Sequence, residues 1–305
     1  MKKIVFIGGP TASGKTELAI SIAKKFNGEL INADSRQIYK YLDIGTNKGS
    51  ITANGTQNFI NDIPIHLVSF LNPDKRYSVF EFKEQAYKLI DQITEQGKLP
   101  IIVGGTGLYI DSILKNYSQT AVSNPELREE LEKLSINDLQ NVLKRDYPEA
   151  FEKLNQSDKH NPQRLVRLIE KQSAPIIEHQ KIPNFDYIFL YPKYDWQVLT
   201  QKIDQRVEQM FKDGLVQEVE KVLTLGYTND SPALKGTGYK EVIELINKKI
   251  SLQECIDLVK ISHRQYAKRQ RTWFEGEGRE YNLIKVENAQ QAQEVIKNFY
   301  DTTSN

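Results

Sequence analysis

The stretch Gly9-Pro10-Thr11-Ala12-Ser13-Gly14-Lys15-Thr16 constrains this chain more than any other. It satisfies G-x-x-x-x-G-K-[ST] at every fixed position. The short apolar, β-branched run Lys2 to Gly8 precedes it, and a helical pattern reaching about Phe26 follows. Gly9 and Gly14 permit backbone conformations that other residues disfavour. Successive N–H groups can then converge on an anion at a helix N-terminus. Lys15 adds a point charge for terminal phosphates, and Thr16 adds a hydroxyl suited to Mg²⁺. The loop predicts phosphate binding without naming a reaction, because kinases, NTPases and transferases all use it.

The flanking pattern predicts the fold. Glu29 to Ala33, Pro64 to Phe70, Leu99 to Val103 and Tyr187 to Tyr191 read as buried strands. Ser78 and Glu81 form a capping box ahead of apolar residues at helical spacing, and Gly97 is placed to end that helix. Strand and helix alternate as in an α/β fold, a P-loop NTPase-like parallel sheet flanked by helices. Residues 117–182 show no convincing strand but carry polar helical segments, Pro125 to Leu134 and Pro162 to Glu170. They predict a mainly helical insertion domain between the core segments 1–116 and 183–305. Further helices are expected over Trp196 to Lys212, Leu215 to Leu225, Tyr239 to Ile246 and Leu252 to Phe274, the last opened by a second capping box, Ser251 with Glu254.

Composition excludes several classes. The single cysteine, Cys255, permits no internal disulfide and supplies no cysteine cluster for structural zinc. A net charge of +1 gives no bulk signature of a nucleic-acid partner, so such a partner needs a local patch. No apolar run approaches the roughly 18 residues of a membrane span, and Ile4 to Ile7 is too short for a signal peptide. The expectation is a cytoplasmic monomer with no membrane partner.

Asp34 ends the second predicted strand, and Thr106 follows the fourth after Gly104-Gly105. In open parallel sheets ligands gather outside the carboxyl ends of the strands, so Lys15, Asp34 and Thr106 should converge on one crevice. From pattern alone Asp34 fits a turn cap, a metal ligand and a general base equally.

At this point the motifs resemble a family. GPTASGKT, then Asn32 to Lys48 (NADSRQIYKYLDIGTNK), then Val103 to Tyr109 (VGGTGLY) look like the tRNA dimethylallyltransferases, also called tRNA isopentenyltransferases. So do His160 to Arg164 (HNPQR), Gly236 to Glu241 (GTGYKE) and Arg264 to Phe274 (RQYAKRQRTWF), in the expected order. Such enzymes transfer a dimethylallyl group from dimethylallyl diphosphate to the N6 amine of the adenosine 3′ of the tRNA anticodon. The resemblance implies Asp34 as the base and Thr106 as its partner near the adenine. It implies a diphosphate cradle of Gly9, Pro10, Thr11, Ala12, Ser13, Gly14, Lys15 and Thr16, with Mg²⁺ on Thr16. Arg206 would join that cradle, although on its own pattern it reads as a solvated or ion-paired helix arginine.

The tRNA anticodon stem-loop is the implied second partner. The resemblance puts Ser35, Arg36 and Gln37 against the flipped base. It puts Arg128, His160, Asn161, Pro162, Gln163 and Arg164 of the insertion, and Lys235, Gly236, Thr237, Gly238, Tyr239 and Lys240, against the anticodon region. Lys260, Arg264, Lys268 and Arg271 share one predicted helix face, flanked by His263 and Arg269, which suits phosphate contacts or a solvated surface. Other readings of the same loop are a small-molecule kinase, a prenyltransferase for free adenine nucleotides, and a nucleotide-switched RNA-binding module.

Overall fold

A computed structural model describes residues 1–115, 124–173, 184–276 and 281–301. The chain divides into two compact units, Met1–Lys115 with Pro183–Asn305, and Asn116–Ile182.

The first unit opens with β1 (Lys2–Gly8), α1 (Lys15–Phe26) and β2 (Gly28–Asn32). A short antiparallel excursion follows, β3 (Ile51–Asn54), β4 (Gln57–Ile60) and β5 (Ile63–His66). Then come α2 (Val79–Glu95), β6 (Leu99–Gly104) and α3 (Gly107–Leu114). The strands form one sheet in the order β3-β4-β5-β2-β6-β1, continuing to β7 (Phe185–Pro192) and β8 (Leu283–Val286), and β5 through β8 run parallel.

Side chains alternate across a strand, and β1 shows what that means for a continuous apolar run. Val5 and Ile7 enter the core shared with Leu18, Ile22 and Ile296, while Ile4 and Phe6 enter the opposite core with Phe82, Ile102 and Phe189. Covering both faces requires helices on both, which is the usual state of a parallel sheet. The Ser78–Glu81 capping box forms in both directions, with Glu81 N–H donating to Ser78 Oγ at 3.1 Å and Ser78 N–H to Glu81 Oε2 at 2.7 Å.

Beyond β7 the chain adds α9 (Trp196–Lys212), α10 (Leu215–Thr224), a 3₁₀ turn (Pro232–Lys235), α11 (Tyr239–Ile246) and α12 (Leu252–Glu275). These helices pack with Ile38, Tyr39 and Leu42 into a further core that includes Val207, Val219, Val242 and Val259. The final helix spans Ala289–Asp301.

Some expectations are corrected. The predicted strand Pro64 to Phe70 is Ile63–His66, because Leu67 (φ 58) and Ser69 (φ 50) leave the extended region. The hairpin β3–β4 and its neighbour were not anticipated. Their strands are four residues each and half-exposed, and their signals lie in turns. Gly55 (φ 62) makes one turn, and Asn61 (φ 47) with Asp62 (φ 65) makes the other, the backbone that tight hairpins need. Strand β8 and the last helix were also not anticipated.

The second unit holds helices α4 (Pro125–Glu132), α5 (Ile136–Asp146), α6 (Pro148–Glu152), α7 (Gln156–Lys159) and α8 (Pro162–Ser173). Leu131, Leu139, Leu143, Phe151, Leu165, Val166 and Ile169 form its core. The expected ends of the insertion, Tyr117 and Ile182, lie outside the described residues.

Candidate active site

The carboxyl ends of β1, β2 and β6 border a cleft of about 270 Å³. Its lining includes Thr11, Lys15, Thr16, Asp34, Gly105 and Arg206. The phosphate loop takes the backbone that its glycines allow, with Gly14 at φ 87. Ala12 also sits at φ 65, a left-handed conformation that costs an L-residue about 1–2 kcal/mol. That strain was invisible in the motif, where position 12 is unrestricted.

Lys15 Nζ donates to the Pro10 carbonyl at 2.6 Å, curling over the loop. Burial pushes its amine down to about 8, and the nearby Asp34 carboxylate offsets part of that effect. The linkage has a definite sign. An arriving diphosphate favours the charged amine, so binding above pH ~8 must take up a proton. Titrating an organic diphosphate at pH 8.5 in buffers of different ionisation enthalpy should reveal that uptake, and Lys15→Met should abolish it. Equal uptake in wild type and variant would remove Lys15 from the linkage.

Arg206 reaches across from α9, its Nη1 donating to Thr11 Oγ1 at 3.0 Å. It is a cleft residue held at the phosphate loop, not a solvated helix arginine. Thr11 is fixed at its backbone too, where its N–H donates to Gln270 Oε1 at 2.8 Å. Gln270 is buried, and its Nε2 donates to the Gly105 carbonyl at 3.1 Å. A Cβ on Gly105 would lie 1.9 Å from that nitrogen, so any side chain there would push the Gln270 amide off the Gly105 carbonyl.

Asp34 lies in a tight turn. Its Oδ1 accepts from Arg36 N–H at 2.8 Å, and its own N–H donates to Asn32 Oδ1 at 3.2 Å. Thr106 Oγ1 accepts from Ser35 N–H at 2.9 Å and donates to Ser35 Oγ at 3.2 Å. Thr106 thus holds the turn that presents Asp34, while Thr106 itself stands behind the cleft lining. Burial, then the Asp34 charge, push the Tyr266 hydroxyl upward. Arg36 Nη1 donates to the Pro232 carbonyl, and Gln37 Nε2 donates to the carbonyls of Thr46 and Asn47, each at 3.1 Å.

The other expected contacts divide. Tyr239 is 1% exposed, with its hydroxyl donating to buried Glu218 at 3.3 Å, and Gly236 and Gly238 are buried as well. Thr237 lines the cleft, whereas Lys235 and Lys240 are exposed. In the second unit, Arg128 Nη2 donates to buried Glu170 at 2.7 Å and Arg164 pairs with Asp158, so both are ion-paired. Asn161 Oδ1 accepts from Arg164 N–H at 3.3 Å, capping the helix that Pro162 begins. His160, Pro162 and Gln163 are exposed.

The expected basic face of α12 is largely neutralised. Lys260 pairs with Glu208 at 2.6 Å, Arg264 with Asp204 at 3.1 Å and Arg271 with Glu275 at 3.2 Å. Lys268 and Arg269 remain exposed. The functional side of the helix is another one. His263, Tyr266 and Gln270 recur at helical spacing and line the cleft. Gln270 went unrecognised because a lone glutamine in a basic segment carries no chemical signature.

The model of the family described as IPP transferase matches residues 37–277. The tRNA dimethylallyltransferase of Thermoanaerobacter sp. (strain X514) is 41% identical over 97% of this chain and 96% of its own length. That of Acetivibrio thermocellus is 43% identical over 90% of this chain and 89% of its own. The crystal structure of a tRNA delta(2)-isopentenylpyrophosphate transferase from Staphylococcus epidermidis superposes with a TM-score of 0.70 at 33% identity, covering 99% of this chain and 100% of that one. A eukaryotic dimethylallyltransferase solved acting on tRNA gives a TM-score of 0.76 at 26% identity, covering 100% of this chain and 80% of that one. The family match begins at Gln37, after the phosphate loop and Asp34, but the near full-length relatives extend the likeness across both. With a sheet and cleft of this form beneath it, the chain belongs to the IPP transferase family, that of the tRNA dimethylallyltransferases.

Proposed function

We propose that this protein transfers a dimethylallyl group from dimethylallyl diphosphate to the N6 amine of the adenosine 3′ of a tRNA anticodon. The carrying observation is one cleft that holds a carboxylate, Asp34, opposite a phosphate loop with two cationic groups, Lys15 and Arg206. In the reaction the N6 lone pair forms a C–N bond to the prenyl C1. The C1–O bond breaks, and its electron pair leaves with the diphosphate. An exocyclic adenine amine is a weak nucleophile, so Asp34 accepts the N6 proton as positive charge develops. Lys15 and Arg206 stabilise the charge growing on the leaving oxygen, and being fixed beforehand they need no reorganisation.

Mg²⁺ suits the phosphate end of this cleft. The ion takes one or two protein oxygens when phosphates and waters complete its shell. The Thr16 hydroxyl, in the cleft lining beside Lys15, is the protein ligand in this reading. When bound, the ion neutralises diphosphate charge. Ser35, Arg36 and Gln37 border the place of the flipped adenine. The exposed His160, Pro162, Gln163, Lys235 and Lys240 contact the anticodon stem-loop, with Asn161, Arg164 and Arg128 shaping the insertion surface. Among the described residues no helix is long and apolar enough to cross a membrane. The reading is completed by a cytoplasmic monomer.

Purified protein with Mg²⁺ and labelled dimethylallyl diphosphate should transfer label to a tRNA carrying the target adenosine. Folded protein that labels no such tRNA, or that consumes ATP with a small acceptor instead, overturns the reading.

A further inference from the structure

The side of α12 that lines the cleft carries three polar groups, Gln270, Tyr266 and His263. Gln270 bridges Thr11 and the Gly105 carbonyl. The third, His263, is 7% exposed and has no hydrogen-bond partner among the described residues. Neither ring nitrogen is among the solvent-sealed atoms that lack a partner, so the imidazole keeps a polar edge open to the cleft and available to a ligand. Its position narrows the chemistry. The nearest formal charge acting on it is Arg206, the residue that holds the phosphate loop through Thr11. On its other side Nε2 lies 3.2 Å from where a Cβ of Gly238 would stand, so the ring packs closely against that glycine beside Thr237.

We propose that His263 donates a hydrogen bond to the diphosphate of the prenyl substrate, next to Arg206. This deepens the function proposed above and rests on it. Burial, then the Arg206 charge, hold the ring neutral by pushing its pKa down to about 4. A neutral imidazole does not repel Arg206, yet it always carries one N–H to donate. It adds directional recognition where Lys15 and Arg206 add charge. A merely space-filling histidine would serve as well if replaced by another ring of similar size.

The test uses the full chain and inorganic diphosphate with Mg²⁺, followed by calorimetry and by imidazole ¹H–¹⁵N NMR. Diphosphate should move the His263 N–H resonance downfield in the wild-type protein. His263→Phe should weaken diphosphate binding about tenfold, the scale of a lost hydrogen bond to a charged acceptor, with tRNA affinity unchanged. His263→Gln, which keeps a neutral donor, should restore affinity to within roughly threefold of wild type. An unmoved resonance, or diphosphate binding in His263→Phe within about twofold of wild type, overturns the assignment. If either variant loses structure, the wild-type resonance still decides. Failure of the wild-type protein to bind diphosphate at all would reject the parent reading and this inference with it. Normal diphosphate binding with no variant effect rejects this inference alone.

Discussion

Asp34→Asn should lower the single-turnover rate of prenyl transfer by about 10²–10⁴-fold, the usual contribution of a positioned general base. The substitution is chosen for what it keeps. Asparagine retains the Oδ1 that accepts from Arg36 N–H at 2.8 Å, so the turn between β2 and the Thr106 hydroxyl survives. It removes only the charge and the proton affinity. Binding of tRNA, measured by filter retention, should stay within about threefold of wild type, since one carboxylate charge contributes little beside many phosphate contacts. A second effect follows from electrostatics. The Asp34 carboxylate raises the Lys15 amine against the pull of burial, so in Asp34→Asn that amine should titrate below about 8. Near-normal turnover would remove Asp34 from the base role. An unchanged Lys15 titration would show that the two groups are not coupled in solution.

Gly104→Ala should be among the most damaging single changes in the chain. Gly104 ends β6 and pairs with Gly8, and a Cβ there would lie 2.1 Å from the Ala33 carbonyl oxygen and 2.2 Å from its carbon. The obstacle is backbone, which cannot swing aside as a side chain does. Ala33 N–H donates to the Val103 carbonyl at 2.8 Å, and the Ala33 carbonyl accepts from Thr106 N–H at 3.1 Å. Relief of the clash therefore moves Asp34 and Thr106 together. Overpacking of this kind costs about 3 kcal/mol of stability, readable as a lower urea midpoint, and turnover should fall with it. Gly97→Ala is the control. Gly97 has a positive φ, 70, which Gly104 lacks, and a Cβ there meets nothing within 4 Å, so only local strain of about 1 kcal/mol is expected. Equal costs for the two changes would show that the close approach of β2 to β6 is relieved at little expense and does not require glycine at Gly104.

The elements legible in the sequence are those whose local chemistry is self-sufficient. The phosphate loop, the Ser78–Glu81 capping box and the apolar runs of β1, β6 and β7 each carry their own signal within a few residues. Trp196–Lys212 and Tyr239–Ile246 fall where helical spacing placed them. The β3–β4 hairpin was not legible, because its four-residue strands face solvent and owe their pairing to the edge of a finished sheet. The basic stripe of α12 was legible in its spacing but not in its partners. Glu208 and Asp204 approach it from α9, and no local pattern announces an ion pair between distant helices.

Arg206 marks the boundary between the two kinds of knowledge. By pattern it was an ordinary helix arginine, and only packing of α9 beside the phosphate loop brings it to Thr11 at 3.0 Å. The sequence by itself determined that this chain carries a phosphate-loop motif, that a carboxylate follows the second strand, and that a parallel sheet brings both to one end, because these follow from backbone freedom and strand polarity. Tertiary structure decided which polar groups face that end. Gln270, Tyr266 and His263 sit on α12, more than a hundred and fifty residues from the loops they serve, and their orientation depends on how the helix packs. Side-chain direction on a helix is set by its buried neighbours, and those neighbours meet only in the folded chain.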